Sequence, residues 1–342
     1  GVLAALVVSE LLLQALPVSS ATQMGYHTHP DILTYPPAHH WTVSTGWDLR
    51  NAQRLTSNNA GFLASRDFAP HPEAVALIGD SYVESSMLDE ADRPGQQLQS
   101  LLGPGRPVYA MGSPGSSLLD YATRVRFAHE RYALKRFVLL LETGDLRQSV
   151  CGSGQIHAHC LKSESLQASE ERIAAPSLAK QVFRHSALAQ YALSQLKVQP
   201  STLMRSLFSR SVPHDGAALA GKSPSTAVPP DEAEKQRTQK LVDAVVARFF
   251  ESIGSVRAEW MVILLDGKRE GLAFRSPIQD LERTLILQRL RSRGAQVVDL
   301  EAVYVEHSRH SKRSLSVGPY DRHLNALGVK LAMQAAADGL PR

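Results

Sequence analysis

The feature that most constrains the fold is a series of short apolar runs separated by longer segments with helical spacing. The runs cover residues 74–79, 107–112, 136–142, 258–266 and 295–300. A continuously apolar run is typical of a strand buried on both faces. Helical patterns at 234–253 and 278–293 precede the last two runs. Strands that alternate with helices predict an open α/β fold with a mostly parallel sheet.

Polar residues follow several of these predicted strands. Ser81 follows the first strand, GSPG (112–115) follows the second, and ETGD (142–145) follows the third. Sites in open parallel sheets lie outside the carboxyl ends of the strands. We therefore expect these residues to meet at one edge of the sheet, together with the segment YDRHLNALG (320–328) near the C-terminus.

Ser81 stands in the stretch VALIGDSYVES and allows two interpretations. Asp80 and Ser81 are of the residue types that commonly begin helices, so a helix cap is one of them. A catalytic nucleophile is the other, but a serine hydroxyl needs an adjacent base that a third group orients. His323 can be that base, and Asp321, two residues earlier, can orient it. Because both partners are present, we favour a catalytic Ser81.

Four sequence blocks resemble those of the SGNH, or GDSL, hydrolase superfamily. They are IGDSYVES, GSPG, LLLETGD and DRHLN, in this order between residues 75 and 340. The resemblance implies a three-layer α/β/α domain in which Ser81 is the nucleophile, His323 the base and Asp321 the orienting acid. It also implies that the backbone N–H groups of Ser81 and Gly115 form the oxyanion hole. For Gly115, a turn glycine with positive φ is the alternative.

The third block departs from the superfamily pattern. That pattern has Gly-x-Asn-Asp, whose Asn side chain donates to the oxyanion, and here Gly144 stands in place of the Asn. Either another group supplies the donor, the chain is a weaker hydrolase, or the alignment shifts by one residue. Asn58 or Asn59, upstream of the first strand, could replace it. Asp80 and Asp145 are further candidate site residues, with a helix cap or a loop acid as the alternative for Asp145.

The N-terminal segment GVLAALVVSELLLQALPVSS is mostly apolar before Pro17. A membrane-spanning helix needs about 20 residues, and this segment also carries Glu10 and Gln14. We interpret residues 1–19 as a membrane anchor or a signal-like helix. A buried amphipathic helix of the globular domain is the alternative. An anchor would place the rest of the chain in a bacterial periplasm, at the inner membrane.

The two cysteines, Cys151 and Cys160, close a short loop. An even pair around a small loop favours a disulfide in an oxidising compartment. Free thiols are one alternative, and a zinc site with His157 and His159 is another, although the spacing matches no common zinc pattern. We therefore predict a disulfide, no metal and no cofactor.

Composition and length set the remaining expectations. The chain has 342 residues, of which 43% are hydrophobic and 20% charged, a normal globular mix. No dense block of Lys and Arg is interleaved with aromatic residues, so nucleic acid is not an expected partner. We expect an irregular lead-in over 20–73 and the catalytic domain over 74–342. A helical insertion around 150–232 would end in a linker, for which 216–232 is the best candidate.

The order of apolar segment, lead-in and GDS block resembles the anchored periplasmic SGNH proteins of bacterial polysaccharide modification. This implies transfer of an O-acyl group, an acetyl, to an extracytoplasmic polysaccharide through an acyl-Ser81 intermediate. A membrane-bound O-acyltransferase would be the partner that supplies the acyl group. One alternative is a carbohydrate O-acetyl esterase with the same triad, in which water is the acceptor. The other is a catalytically degenerate scaffold subunit of a membrane polysaccharide-modifying complex.

Overall fold

The computed structural model describes residues 1–21, 23–154, 158–196, 230–269, 275–318 and 321–341. The chain divides into two compact units. The larger unit comprises Gln23–His40, Leu55–Ala174 and Pro229–Arg342, and the smaller unit comprises Gly1–Thr22, Trp41–Arg54 and Ala175–Val228. All four of the sequence blocks therefore belong to the larger unit.

Strands and helices are numbered here in chain order. The strands β1 to β13 are Gly25–His29, Ile32–Thr34, His40–Thr45, Arg50–Thr56, Val75–Gly79, Val108–Gly112, Arg136–Leu141, His159–Leu161, Ala168–Glu170, Trp260–Leu265, Gln296–Asp299, Ser316–Gly318 and Asp321–Leu324. The α-helices α1 to α11 are Val2–Ala15, Ser81–Glu84, Pro94–Leu102, Leu118–Tyr132, Asp145–Gln148, Leu178–Phe183, Ala187–Gln190, Glu232–Ser252, Pro277–Ser292, Leu300–His310 and Ala326–Asp338. The described residues also contain a 3₁₀ turn at Glu90–Asp92 and a π-helical turn at Tyr191–Gln195.

The larger unit is built on a parallel sheet of five strands in the order β11-β10-β7-β5-β6. These strands are the five apolar runs, and each begins and ends within two residues of its predicted bounds. Every residue of β5 and β6 is buried. The prediction of a mostly parallel sheet is therefore confirmed.

Helices cover both faces of this sheet. On one face α4, α8 and α9 pack in a cluster that includes Ile78 of β5 and Leu139 of β7. On the other face α3, α10 and α11 pack with Leu77 and Leu140 of the same strands. Because successive residues of a strand point to opposite faces, burial of both faces requires the continuous apolar runs. The three-layer α/β/α architecture follows.

The lead-in was expected to be irregular, and here the structure differs. In it β1 pairs with β2, and β3 pairs with β4. These strands have three to seven residues, and Pro, Gly and His interrupt the sequence around them, so no long apolar run marks them. The insertion around 150–232 contains β8, β9, α6 and α7. Its linker candidate at 216–232 lies almost entirely outside the described residues.

Helix α1 belongs to the smaller unit, and none of its residues is buried. It has 14 residues. Within the ranges that the structure describes, no helix is both long enough and apolar enough to cross a membrane. The alternative, a buried amphipathic helix, is not observed, because none of the residues of α1 is buried.

The acidic residue of α1 makes contacts inside the smaller unit. The Glu10 carboxylate accepts hydrogen bonds from the backbone N–H groups of Leu188 at 2.9 Å and Ala187 at 2.8 Å, and from the Ser186 hydroxyl at 2.8 Å. These hydrogen bonds lower the pKa of Glu10 to about 2. The acid that interrupts the apolar segment thus caps the short helix α7, a long-range contact that no local pattern indicated.

Candidate active site

The GDS tripeptide forms the end of strand β5 and the start of helix α2. The carboxylate of Asp80 caps this helix, because its Oδ1 accepts a hydrogen bond from the backbone N–H of Tyr82 at 2.8 Å. The Ser81 hydroxyl is therefore not needed as the cap. Its distance to Asp80 Oδ2 is 3.4 Å, longer than the usual range of a hydroxyl hydrogen bond. The helix cap is therefore Asp80, and the Ser81 hydroxyl is free of that role.

Ser81, His323 and Asp321 lie in a continuous chain of hydrogen bonds. Ser81 Oγ is 2.8 Å from His323 Nε2, although the two residues are 242 positions apart in the sequence. On the other side of the ring, His323 Nδ1 is 2.6 Å from Asp321 Oδ1. The backbone N–H of His323 donates to the same oxygen at 2.9 Å. With Nδ1–H donating to the carboxylate, Nε2 is left to accept the serine proton.

The pKa values of the acid and the base move in opposite directions. Burial alone would lower the pKa of His323, but the hydrogen bond and charge of Asp321 outweigh it and raise this pKa above its ordinary value. Burial alone would raise the pKa of Asp321, but its hydrogen bond to the His323 ring and the charge of that ring lower it. The carboxylate is therefore ionised where it can stabilise an imidazolium, and His323 is a stronger base than an isolated histidine.

Gly115 lies in the loop after β6, beside the end of β5. The two strands are paired in parallel with Gly79 opposite Gly112, and the backbone N–H of Ser113 donates to the carbonyl of Gly79 at 3.1 Å. Gly115 has a φ of 75°, a conformation that favours glycine, so the turn interpretation also holds. Among the residues described, no hydrogen-bond acceptor occupies the backbone N–H of Ser81 or of Gly115. Both groups therefore remain candidate donors to a substrate oxygen.

None of the residues considered for the missing Asn supplies its donor. The Gly144 N–H donates to Glu142 Oε2 at 2.5 Å. The side-chain amides of Asn58 and Asn59 bond to nearby backbone groups of their own loop. Asp145 is fully buried, and its Oδ2 accepts hydrogen bonds from the Tyr121 hydroxyl at 2.7 Å and the Glu142 N–H at 2.8 Å. Asp145 therefore closes the turn after β7.

Buried carboxyl groups surround the end of the sheet. Burial raises the pKa of Asp80 above its usual range. Burial, together with the neighbouring Asp80 and Glu142, raises the pKa of Asp145 well above its usual range. Burial also raises the pKa of Glu142 to about 7. Ile78 of β5 is paired with Leu139 of β7. Ser81 lies three residues after Ile78, and Glu142 lies three residues after Leu139, so both follow the carboxyl ends of two neighbouring strands.

A cavity of about 260 Å³ opens beside these residues. Its lining includes Tyr82 and Arg322, the chain neighbours of Ser81 and His323, together with Glu142 and Arg269. The Tyr82 ring lies 4.9 Å from the His323 ring. Glu142 belongs to the ETGD segment that was expected at this edge of the sheet, whereas sequence reasoning missed Arg269. The available signal for Arg269 was its position shortly after the carboxyl end of the predicted strand 258–266.

The cysteines predicted to pair are bonded, with 2.10 Å between the sulfur atoms of Cys151 and Cys160. Neither sulfur is therefore free to bind zinc. His157 lies outside the described residues. The imidazole of His159 lies 3.7 Å from a carboxylate oxygen of Asp31.

Comparison with known proteins gives structural neighbours alone, since no family model and no curated sequence matches the chain. A lipolytic protein of the G-D-S-L family from Veillonella parvula is 10% identical, with a TM-score of 0.40 over 78% of this chain and 96% of that chain. A catalytic mutant of the acetylxylan esterase Axe2 from Geobacillus stearothermophilus is 10% identical, with a TM-score of 0.41 over 79% and 95%. Est24, a carbohydrate acetylesterase from Sinorhizobium meliloti, is 12% identical, with a TM-score of 0.37 over 78% and 97%.

At these identities and TM-scores, the roles of Ser81, His323 and Asp321 rest on their geometry in this chain. In its sequence blocks, the chain resembles the SGNH, or GDSL, hydrolase superfamily.

Proposed function

We propose that this chain transfers an O-acetyl group to a hydroxyl of an extracytoplasmic polysaccharide through an acyl-Ser81 intermediate. The observation that carries the proposal is the hydrogen-bond chain from Ser81 through His323 to Asp321, at 2.8 and 2.6 Å. The backbone N–H groups of Ser81 and of Gly115, which lies in the loop after β6, are the donors to the oxyanion in this proposal. This is the arrangement that acyl transfer through a serine requires.

The first half-reaction forms the acyl-enzyme. His323 Nε2 takes the proton of the Ser81 hydroxyl while Oγ attacks the acyl carbonyl carbon. The N–H groups of Ser81 and Gly115 stabilise the negative oxygen of the tetrahedral intermediate, and one such donor is worth about 3 kcal/mol of barrier in other enzymes. When the intermediate collapses, the bond to the donor oxygen breaks and the His323 imidazolium protonates the leaving alcohol.

The second half-reaction uses the same groups in reverse. A sugar hydroxyl gives its proton to His323 and attacks the acyl carbon, and Ser81 leaves with the proton returned by the imidazolium. If water takes the place of the sugar, the products are acetate and free enzyme. The esterase alternative therefore uses the same triad and differs in the acceptor alone.

The cellular setting is part of the proposal. A disulfide between Cys151 and Cys160 suits an oxidising compartment such as the periplasm. Helix α1 exposes apolar side chains, including Val2 and Leu3, which offer an apolar surface to the inner membrane. The membrane-bound O-acyltransferase that would supply the acetyl group follows from the family resemblance.

A serine-reactive fluorophosphonate probe tests whether Ser81 is a nucleophile. We expect labelling of the wild type and of Ser100→Ala, which changes an exposed helical serine, but none of Ser81→Ala. The same proteins are then given p-nitrophenyl acetate with and without an oligosaccharide. Acetyl on the sugar supports the transferase, whereas free acetate alone, at a rate independent of the sugar, supports the esterase. Folded wild-type protein that does not label contradicts both and favours the scaffold.

A further inference from the structure

One buried guanidinium group joins the chain segments that carry the two halves of the triad. Arg269 follows strand β10 and is 6% exposed. It donates hydrogen bonds to Arg322 O at 2.6 Å, to Asp266 Oδ2 at 2.8 Å and to the Tyr82 hydroxyl at 2.9 Å. The three acceptors come from three different parts of the chain.

Two of these acceptors are direct neighbours of catalytic candidates. Tyr82 follows Ser81 in helix α2, and its ring lies 4.9 Å from the ring of His323. Arg322 stands between Asp321 and His323, and its backbone carbonyl is the acceptor. Arg269 therefore holds the nucleophile's segment and the base's segment at the same time. The third acceptor, Asp266, lies directly after β10 and anchors the guanidinium to the central sheet.

The segment that carries the base, strand β13, needs contacts that hold it near Ser81. Strand β13 pairs with β12 in a separate two-stranded sheet, and in the described part of the chain no strand pairing joins it to the central sheet. Ser81, by contrast, follows a central strand. The Ser81–His323 distance therefore depends on side-chain contacts, namely the packing of Leu324 against the sheet and the hydrogen bonds between the two segments.

Arginine suits this position for a chemical reason. Its planar guanidinium carries five donors in fixed directions, so that one group can bind a carboxylate, a hydroxyl and a carbonyl together. A lysine in the same place keeps the charge but offers a single nitrogen. The pair with Asp266 also compensates the buried charge, since both side chains are 5% exposed.

We propose that Arg269 is a positioning residue that sets the distance between Ser81 and His323 through Tyr82 and the Arg322 carbonyl. The inference rests on the proposed function, because it concerns the geometry of that same triad. Arg269 need not touch the substrate for this role.

The test compares Arg269→Lys with the matched change Arg283→Lys. Arg283 is also 6% exposed and also forms ion pairs, with Asp299 and Glu301, but it is not among the residues that line the cavity. The readouts are kcat and KM for p-nitrophenyl acetate and the rate of fluorophosphonate labelling, with thermal unfolding as the measure of folding. A displacement of about 1 Å can cost about 100-fold in rate.

We expect kcat and the labelling rate of Arg269→Lys to fall about 100-fold, with KM changed by less than about threefold, while Arg283→Lys keeps both rates. Folded Arg269→Lys with wild-type rates, or equal losses in the two variants, overturns the proposal. If Arg269→Lys does not fold, Tyr82→Phe decides, since it removes one hydroxyl and leaves the Asp266 pair. A slower labelling rate at an unchanged melting temperature then supports the role, and an unchanged rate overturns it.

These outcomes are distinct from a failure of the proposed function. If the wild type neither labels nor hydrolyses the ester, the triad itself is not catalytic. If the wild type reacts and the folded Arg269→Lys reacts equally well, the triad stands and the positioning role alone is wrong.

Discussion

Replacing Asp321 by Asn is the most direct perturbation of the proposed chemistry. The Asp321 Oδ1 atom accepts two hydrogen bonds from His323, one from Nδ1 at 2.6 Å and one from the backbone N–H at 2.9 Å. An Asn has the same shape but no charge, and one of its two terminal groups is an NH₂ donor. When that donor faces Nδ1, the ring proton moves to Nε2, and His323 can no longer accept a proton from Ser81.

The size of the effect follows from these contacts. Burial lowers the pKa of His323, and the hydrogen bond and charge of Asp321 are what raise it above its ordinary value. Without the carboxylate, that pKa falls, and the imidazolium formed in the transition state loses its stabilising charge. In the Ser-His-Asp proteases the same change costs about 10⁴-fold in kcat. We expect a loss of about 10³- to 10⁴-fold here, which corresponds to about 4 to 5.5 kcal/mol.

The assay is kcat for p-nitrophenyl acetate between pH 5 and pH 9. Wild-type activity should fall as the pH drops through the pKa of His323, because a protonated ring cannot act as the base. In Asp321→Asn the residual activity should show this fall at lower pH. Asp231→Asn is the control, since it makes the same change at the cap of α8, where Asp231 accepts the Glu234 N–H at 2.7 Å. A kcat of Asp321→Asn within tenfold of the wild type would refute this account.

Three further changes test the surroundings of the site. Burial raises the pKa of Glu84 to about 7 from 4.5, so its ionisation destabilises the fold as the pH rises between these values. Urea unfolding should show that Glu84→Gln gains up to about 3 kcal/mol relative to the wild type between pH 4.5 and pH 8, and parallel pH curves would contradict this. A Cβ on Gly79 would lie 2.5 Å from Val83 Cγ2. Gly79→Ala should therefore lose about 2 kcal/mol of its free energy of unfolding and most of its kcat. Wild-type values for both quantities would refute the clash. Reducing the Cys151–Cys160 disulfide, whose cysteines are 9 residues apart, should lower the free energy of unfolding by about 2.5 kcal/mol, as measured by thermal unfolding. A Cys151→Ser/Cys160→Ser variant should not respond to reductant.

The central sheet could be predicted because its signal is local. Five runs of apolar residues can be buried only where both faces of a strand are covered, and helical spacing between them supplies the covering layers. The hairpins formed by β1 to β4 were missed for the opposite reason. Strands of three to seven residues, interrupted by His, Gly and Pro, contain too few apolar positions to reveal a period.

Glu10 illustrates a limit of composition. The segment before Pro17 is apolar, and the carboxylate of its Glu10 accepts hydrogen bonds from Ser186 and two following backbone groups. A hydropathy pattern does not predict such a contact, because the partners lie more than 170 positions away in the sequence.

By itself, the sequence determined the five core strands, the candidate nucleophile, the candidate base and its acid, because each depends on residue type and short spacing. The tertiary structure alone decided that Asp80 caps the helix while Ser81 meets His323, and that Gly144 receives no replacement donor from Asn58 or Asn59. It also brought Arg269 to the Arg322 carbonyl and the Tyr82 hydroxyl. The physical reason is that these contacts join residues far apart in the chain, and such distances are set by the packing of layers on the sheet.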